Sequence, residues 1–363
     1  MSKPTPVTQP HNCSPMWFLM IVSTAINVVA LVVGRAFLIP LAIAGLIFVF
    51  SLVLDDTCRR IRIGNWTPNK WISRLMTICV VLASLGGIIM LWYASFGELA
   101  RIGPEYAARL EAKLDQMSQW IPSFIIDSIL NEVTSIDVQP WVTALVGQVT
   151  GTFAVVSLVG FYVVFLFFER DAWEQKLPKI AKTSEDVARA KMMIAEISKS
   201  VKKYVWINTV TSALSALIAY AIFWLVGLDF AILLALVVFV AGYIPTIGSL
   251  IGIALPAMVA FLQFDSFGPF IVVLFGFGLA DQLVANLPQP ALQGKSLNIS
   301  TFVVVAALAF WGVIWGGIGM FLAIPLTVMI MIVCAQFPAT RWFAILLSKD
   351  GQIGAEEDPD AGV

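Results

Sequence analysis

Residues 230–264 read FAILLALVVFVAGYIPTIGSLIGIALPAMVAFLQF, and residues 300–335 read STFVVVAALAFWGVIWGGIGMFLAIPLTVMIMIVCA. Neither run carries a charge. A straight helix of about 35 residues would reach about 50 Å, against a hydrocarbon core of about 30 Å. Each run must therefore tilt, break or fold back. The first contains IPTIGSLIGIALP, with Pro245, Gly248, Gly252 and Pro256; the second contains VIWGGIGMFLAIP, with Gly316, Gly317, Gly319 and Pro325. Gly248 to Pro256 and Gly317 to Pro325 share one spacing. Breaks of this kind at membrane depth are tolerated where they line a cavity or are buried in protein.

A further apolar segment precedes each run, 204–228 before the first and 267–287 before the second. The chain then holds two units, each a helix plus a hairpin. If both hairpins are re-entrant, a single crossing separates them and the units have inverted topology, a transporter plan with its site at the repeat interface. Lys295 then falls inside and Asp265 outside. The alternative is that Gly248/Gly252 and Gly312/Gly316 only allow close helix packing.

The rest of the chain fits a multi-pass membrane protein. It is 59% hydrophobic and 12% charged, with a mean hydropathy of +0.89. Uncharged stretches of spanning length also occur at 36–54, 75–97 and 138–168, and residues 12–34 add an N-terminal one without a signal-peptidase site after it. Loop 55–74 carries five Lys/Arg against two acids and loop 169–203 nine against six, whereas 98–137 carries three against seven. The positive-inside rule places the first two in the cytoplasm and the third outside. The expected organisation is a mobile tail over 1–15 and spans 1–3 within 16–97, the first two forming a hairpin around Arg35. An extracytoplasmic amphipathic segment covers 98–145 and span 4 covers 146–168. A cytoplasmic amphipathic helix covers 169–203, the core 204–340, and a cytoplasmic tail 341–363. In outline this is an all-α polytopic protein with about six full spans and two broken hairpins. Within 104–121, Tyr106, Leu110, Leu114, Met117 and Ile121 share a stripe that could lie on the membrane or pack on the bundle.

Asp281 lies within the 267–287 span. A carboxylate at bilayer depth is expensive without a partner, water or a proton, and is a site candidate by default. Gln282 and Asn286 follow it, on a face one position off, and the LPQP stretch with Pro288 and Pro290 ends or kinks the helix. This set could bind a cation, carry a proton or hold the hydroxyls of a solute; a purely structural carboxylate is the alternative. His11 is the one histidine, and Cys13, Cys58, Cys79 and Cys334 form no C-x-x-C, so no metal site or other cofactor is expected. No P-loop, G-x-S-x-G, H-E-x-x-H or G-x-G-x-x-G occurs, which argues against an enzyme, and no soluble basic domain is present to bind nucleic acid.

GYIPTIGSLIGIALPAMVAF (242–261), DQLVANLPQPALQGKSLNIS (281–300) and GGIGMFLAIPL (316–326) together resemble signatures of the autoinducer-2 exporter family, also described as PerM-like permeases. The likeness implies a bacterial inner-membrane transporter with both termini cytoplasmic. It would export a small polar solute such as autoinducer-2, and its partners would be that solute, the bilayer and further copies in a homo-oligomer. Asp281, Gln282 and Asn286 would line the path. Pro245, Gly248, Gly252, Pro256, Pro290, Gly316, Gly317, Gly319 and Pro325 would form the broken-helix joints. Asp281-Gln282 departs from the pair of amides common in the family, and Asn298 stands where histidine or proline is frequent. Some members resemble sodium–proton antiporters, which makes cation–proton exchange through Asp281 an alternative; a non-transporting scaffold is a third.

Val187, Ala190, Ile194, Ile197, Val201 and Tyr204 step 3, 4, 3, 4, 3, as in an a/d seam. Such a helix either rests on the bilayer or contacts another subunit. Cysteines placed at 190 and 197 separate the two: subunit contact yields an inter-subunit cross-link, and a bilayer-resting helix yields none.

Overall fold

At Gly316 the backbone takes φ 65°, ψ −146°, and this one residue folds an apparently continuous helix in two. A Cβ on Gly319 would overlap the Trp311 carbonyl, and one on Gly312 would lie 3.0 Å from the Met320 side chain. Residues eight apart in a straight helix are about 12 Å apart. Segments 301–315 and 317–335 are therefore antiparallel arms of one hairpin.

The computed structural model describes residues 16–60, 69–117, 138–180, 183–288 and 298–351. Its helices in chain order are α1 (Met16–Val33), α2 (Arg35–Arg60), α3 (Lys70–Met117), α4 (Val138–Ile180), α5 (Ser184–Val226), α6 (Ala231–Ala241), α7 (Ile247–Gln263), α8 (Phe267–Asn286, with a π-helical stretch Val272–Phe277), α9 (Thr301–Ala335) and α10 (Arg341–Leu347). Stretches of α2, α5, α8 and α9 are long and apolar enough to cross a membrane, and α9 doubles back. The chain is an all-α polytopic membrane protein.

The first hairpin is α6 and α7. Gly248 abuts the Ala241 carbonyl and Gly252 lies against Val238, so the two helices run antiparallel from a tip at 242–246. The α6 arm has 11 residues, about 16 Å, and is too short to cross a core of about 30 Å. Both ends of this hairpin meet one short stretch of α3. Tyr106 Oη donates to Asp229 Oδ2 at 2.8 Å, before α6; Arg109 donates to the Gln263 carbonyl at 3.0 Å and Lys113 to the Phe264 carbonyl at 2.5 Å, after α7. The hairpin thus enters and leaves on the same face. The second hairpin is closed likewise at its base: Ser300 N bonds Leu347 O and Lys349 N bonds Asn298 O, both at 3.1 Å. Among the described residues, the helix of spanning length between the two bases is α8, about 30 Å long, which suits bases on opposite faces and an inverted repeat.

The glycine equivalent to Gly248 is Gly319, two positions beyond the one that sequence spacing matches: Gly319 touches the opposing arm, while Gly317 has open space around its Cβ position. Pro256 and Pro325 are fully buried in the returning arms. Between membrane helices, lipid removes most of the hydrophobic driving force, and close backbone approach through small residues takes its place. Around Phe223, Val273 and Phe277, the small residues Ala219, Ala257 and Ala260 are completely or nearly buried at the contacts of α5, α7 and α8.

Helices α3 and α5 are longer than the segments read from hydropathy. Residues 104–117 continue α3, and Tyr106, Arg109 and Lys113 among them meet the first hairpin. Residues 184–203 continue the span of α5, begun by a Thr183 cap (Asp186 N to Thr183 Oγ1, 3.1 Å) and ended by left-handed Gly227. An unbroken crossing helix cannot lie flat on the bilayer, which removes that reading of 185–204. Ile197 and Tyr204 pack on Ile324, Val328 and Ile332 of the second hairpin, whereas Ile194 is exposed. Residues 341–351, read as part of a tail, form α10 and pair with 298–300. Gly34 ends α1 and begins α2, its N–H on Ala30 O and its carbonyl accepting from Leu38. The 1–15 tail, Ile121, Pro290 and Lys295 lie outside the described residues.

Gly248→Ala and Gly319→Ala are expected to cost about 1–3 kcal/mol each, read as a lower melting temperature in detergent. Gly45→Ala, with open space at its Cβ position, should match or slightly exceed the parent.

Candidate functional site

A polar stripe runs down the spanning half of α5. Tyr204, Asn208, Thr211 and Ser215 step 4, 3, 4 and are buried, as is Ser212 beside them. Most of these groups are satisfied within the helix: Asn208 Nδ2 donates to Tyr204 O at 2.9 Å, Thr209 to Val205 O at 2.7 Å and Thr211 to Ile207 O at 2.9 Å. Ser215 and Ser212 are different. Ser215 Oγ donates to Asp281 Oδ1 at 2.8 Å. Ser212 Oγ, packed against Gly242 at the hairpin tip, has no hydrogen-bond partner.

Asp281 is 8% exposed. It lies about 21 Å along α8, one turn after the π-helical stretch. Single π turns recur at functional sites because they re-aim side chains and disturb the regular hydrogen-bond ladder. Its second oxygen, Oδ2, is buried without a partner. An unpaired buried polar atom costs on the order of 1–3 kcal/mol, more for a charged group. Two such oxygens, Asp281 Oδ2 and Ser212 Oγ, flank Ser215 on neighbouring helices. They provide acceptors, and hydroxyl donors, for a small polar ligand or a cation.

Gln282 and Asn286 do not join this cluster. They are exposed, and Asn286 Nδ2 donates to Gln282 O at 2.8 Å and Oε1 at 3.3 Å, along their own face. Of the broken-helix residues, Gly248, Gly252 and Pro256 lie on α7, whose hairpin meets Ser212 through Gly242, and Gly316, Gly319 and Pro325 lie on α9, which packs on α5 at Tyr204. Pro245 lies at the first tip, where Thr246 adopts φ 63°, ψ −50° and Ile247 N bonds Pro245 O at 2.7 Å. This is a γ-turn of the rare, strained kind. The two tips overlap: the Tyr243 ring lies 4.9 Å from that of Phe321, and Ile244 packs into the Trp311–Trp315 cluster of the second hairpin. The Trp315 indole donates to Leu31 O at 3.0 Å and ties this cluster to α1. At the base of the first hairpin, burial and then the Asp229 hydrogen bond push the Tyr106 phenol upward, which keeps it a donor.

The serines were missed by the sequence reading, although the 4, 3, 4 step of polar residues in an apolar span was there to see. No groups of three or more metal-ligating side chains occur among the described residues.

The pattern that defines the AI-2E family transporter matches residues 18–339. The chain belongs to the AI-2E transporter family. It is 29% identical over 286 residues to "AI-2 transport protein TqsA" of Escherichia coli strain K12, covering 76% of this chain and 80% of the relative. A "Putative transport protein" of Haemophilus influenzae is 28% identical over 312 residues, covering 83% and 88%. "Putative transport protein YhhT" of Escherichia coli strain K12 is 28% identical over 286 residues, covering 77% and 79%. This AI-2E family transporter is thus a multi-pass member of a transport family, not of an enzyme family.

Ser215→Ala removes the hydroxyl bonded to the buried carboxylate and is expected to destabilise the transporter by about 1–3 kcal/mol. Gln282→Ala and Asn286→Ala should stay within about 0.5 kcal/mol of the parent. Thermal unfolding of the three purified variants checks the contrast.

Proposed function

We propose that this transporter exports a small polar, hydroxylated solute, autoinducer-2 being the candidate that the named relative supports, across the bacterial inner membrane. The observation that carries the reading is the unpaired Asp281 Oδ2, whose other oxygen is held by Ser215, one turn from the unpaired Ser212 at the tip of the first hairpin. A carboxylate accepts from solute hydroxyls, and serine hydroxyls both donate and accept. The Gly/Pro breaks of Pro245, Gly248, Gly252, Pro256, Pro290, Gly316, Gly317, Gly319 and Pro325 serve as joints when the hairpins move. Gln282 and Asn286 contribute where the exposed face of α8 meets solute or a neighbouring copy. The basic loops support a cytoplasmic location for both termini, and the exposed Ile194 end of the α5 seam suits a homo-oligomer.

The same unpaired oxygen favours a second reading, cation–proton exchange in which Asp281 alternates between a proton and sodium. Reconstitution in liposomes tests both. For the exporter, wild type should release trapped autoinducer-2, and Asp281→Asn should slow release at least about tenfold, the loss of one charge-assisted contact. Release unchanged in Asp281→Asn would remove the carboxylate from the solute path. Sodium-dependent pH change that is lost in Asp281→Asn would establish the exchanger instead. Neither activity, from protein that remains assembled, would leave the scaffold.

A further inference from the structure

Tyr243 holds a position that packing alone does not require. It sits at the tip of the first hairpin and is engaged on three sides. Its hydroxyl pairs with Thr209 Oγ1 at 2.6 Å, its carbonyl accepts from Tyr204 Oη at 3.3 Å, and its ring meets Phe321 of the second hairpin and Phe239 of its own, with centroids 4.9 and 5.7 Å apart. Thr209 and Tyr204 precede Ser212 along α5 by one and about two turns. Tyr243 therefore lies between the Asp281–Ser212 site and the face from which residues 184–203 emerge. The preceding residue of the tip, Gly242, touches Ser212 itself. Tyr243 thus links the site's helix and the tip of the first hairpin to Phe321 of the second.

We propose that Tyr243 is the gate residue on that side of the site, closed when its ring packs on Phe321 and its hydroxyl holds Thr209. The inference rests on the transport reading, but its geometry does not depend on which solute passes. Opening takes one hydrogen bond and one ring contact, both weak enough to break and re-form. A closure of that strength is reversible on the timescale of transport. The γ-turn at Thr246 lies three residues further on, in the same tip, so rotation of the tip would move Tyr243 and relieve the turn together.

The test reads access to the site rather than flux. In a background where Cys13, Cys58, Cys79 and Cys334 are replaced by Ser, Ser212→Cys reports entry of a small membrane-impermeant thiol reagent applied to either face of sealed vesicles. Tyr243→Ala should raise its labelling rate at least about tenfold from the face that carries residues 184–203 and leave the other face within about twofold. Tyr243→Phe, which keeps the ring and loses the Thr209 bond, should raise it about fivefold. Phe321→Ala approaches the contact from the other hairpin and should act in the same direction, which keeps the test valid if Tyr243→Ala does not fold. Labelling that stays at the parent rate in Tyr243→Phe and Phe321→Ala, or that rises equally from both faces, would overturn the gate. Increased one-sided labelling in protein that moves no autoinducer-2 would sustain the gate and refute the solute.

Discussion

A helix that ends inside a bilayer strands peptide groups that lipid cannot hydrogen-bond, and the core of this transporter is arranged around meeting that demand. The tip of the first hairpin does so locally and through its neighbours. Tyr243 N bonds Val240 O, Ile244 N bonds Ala241 O, Ile247 N bonds Pro245 O and Gly248 N bonds Ile244 O. Thr246 Oγ1 adds a bond to Pro245 O, and Tyr204 reaches the Tyr243 carbonyl from α5. A tip with these needs is held against protein. That requirement places it on α5 and beside the second hairpin, and the same packing brings Gly242 to Ser212. The site follows from the way the broken helices are satisfied.

The buried carboxylate belongs to the same economy of hydrogen bonds. Most hydroxyls and amides of the α5 stripe bond back to their own helix and cost little. Ser215 instead turns to Asp281, and the second carboxylate oxygen and Ser212 keep capacity for something else. At the base of the first hairpin the demand is met by side chains of α3: Arg109 and Lys113 take the free carbonyls at the end of α7, where positive charge also suits the helix terminus. One rigid helix thus fixes both ends of a hairpin whose tip must be able to move.

Much of this was legible in the sequence. Uncharged runs too long for one crossing, each punctuated by glycine and proline, predicted broken hairpins, and the lone Asp in an apolar span, read as a site candidate, is buried with one oxygen unpaired. What escaped the sequence depends on contacts rather than on local pattern. Ser215 and Asp281 are 66 positions apart, and serine in a membrane helix is most often satisfied by its own backbone, so the polar step along α5 did not reveal that Ser215 bonds Asp281. Gly319 rather than Gly317 faces the opposing arm, because the left-handed Gly316 sets the phase of the helix that follows it. Arg109 and Lys113 bind backbone carbonyls, which every sequence supplies, so no complementary residue revealed their partners. Gln282 and Asn286 were grouped with Asp281 by proximity along the chain; the helix turns them to another face.

The central claim is that the two hairpins enter from opposite faces and overlap where Tyr243 meets Phe321. The most direct measurement is labelling of single cysteines at 229, 265, 298 and 349 in sealed cells and in inverted vesicles with an impermeant thiol reagent. The account predicts that 229 and 265 react from the outer face only, and 298 and 349 from the inner face only. Reaction of 229 and 265 from different faces would mean that the first run crosses the membrane outright, and the inverted arrangement would be wrong.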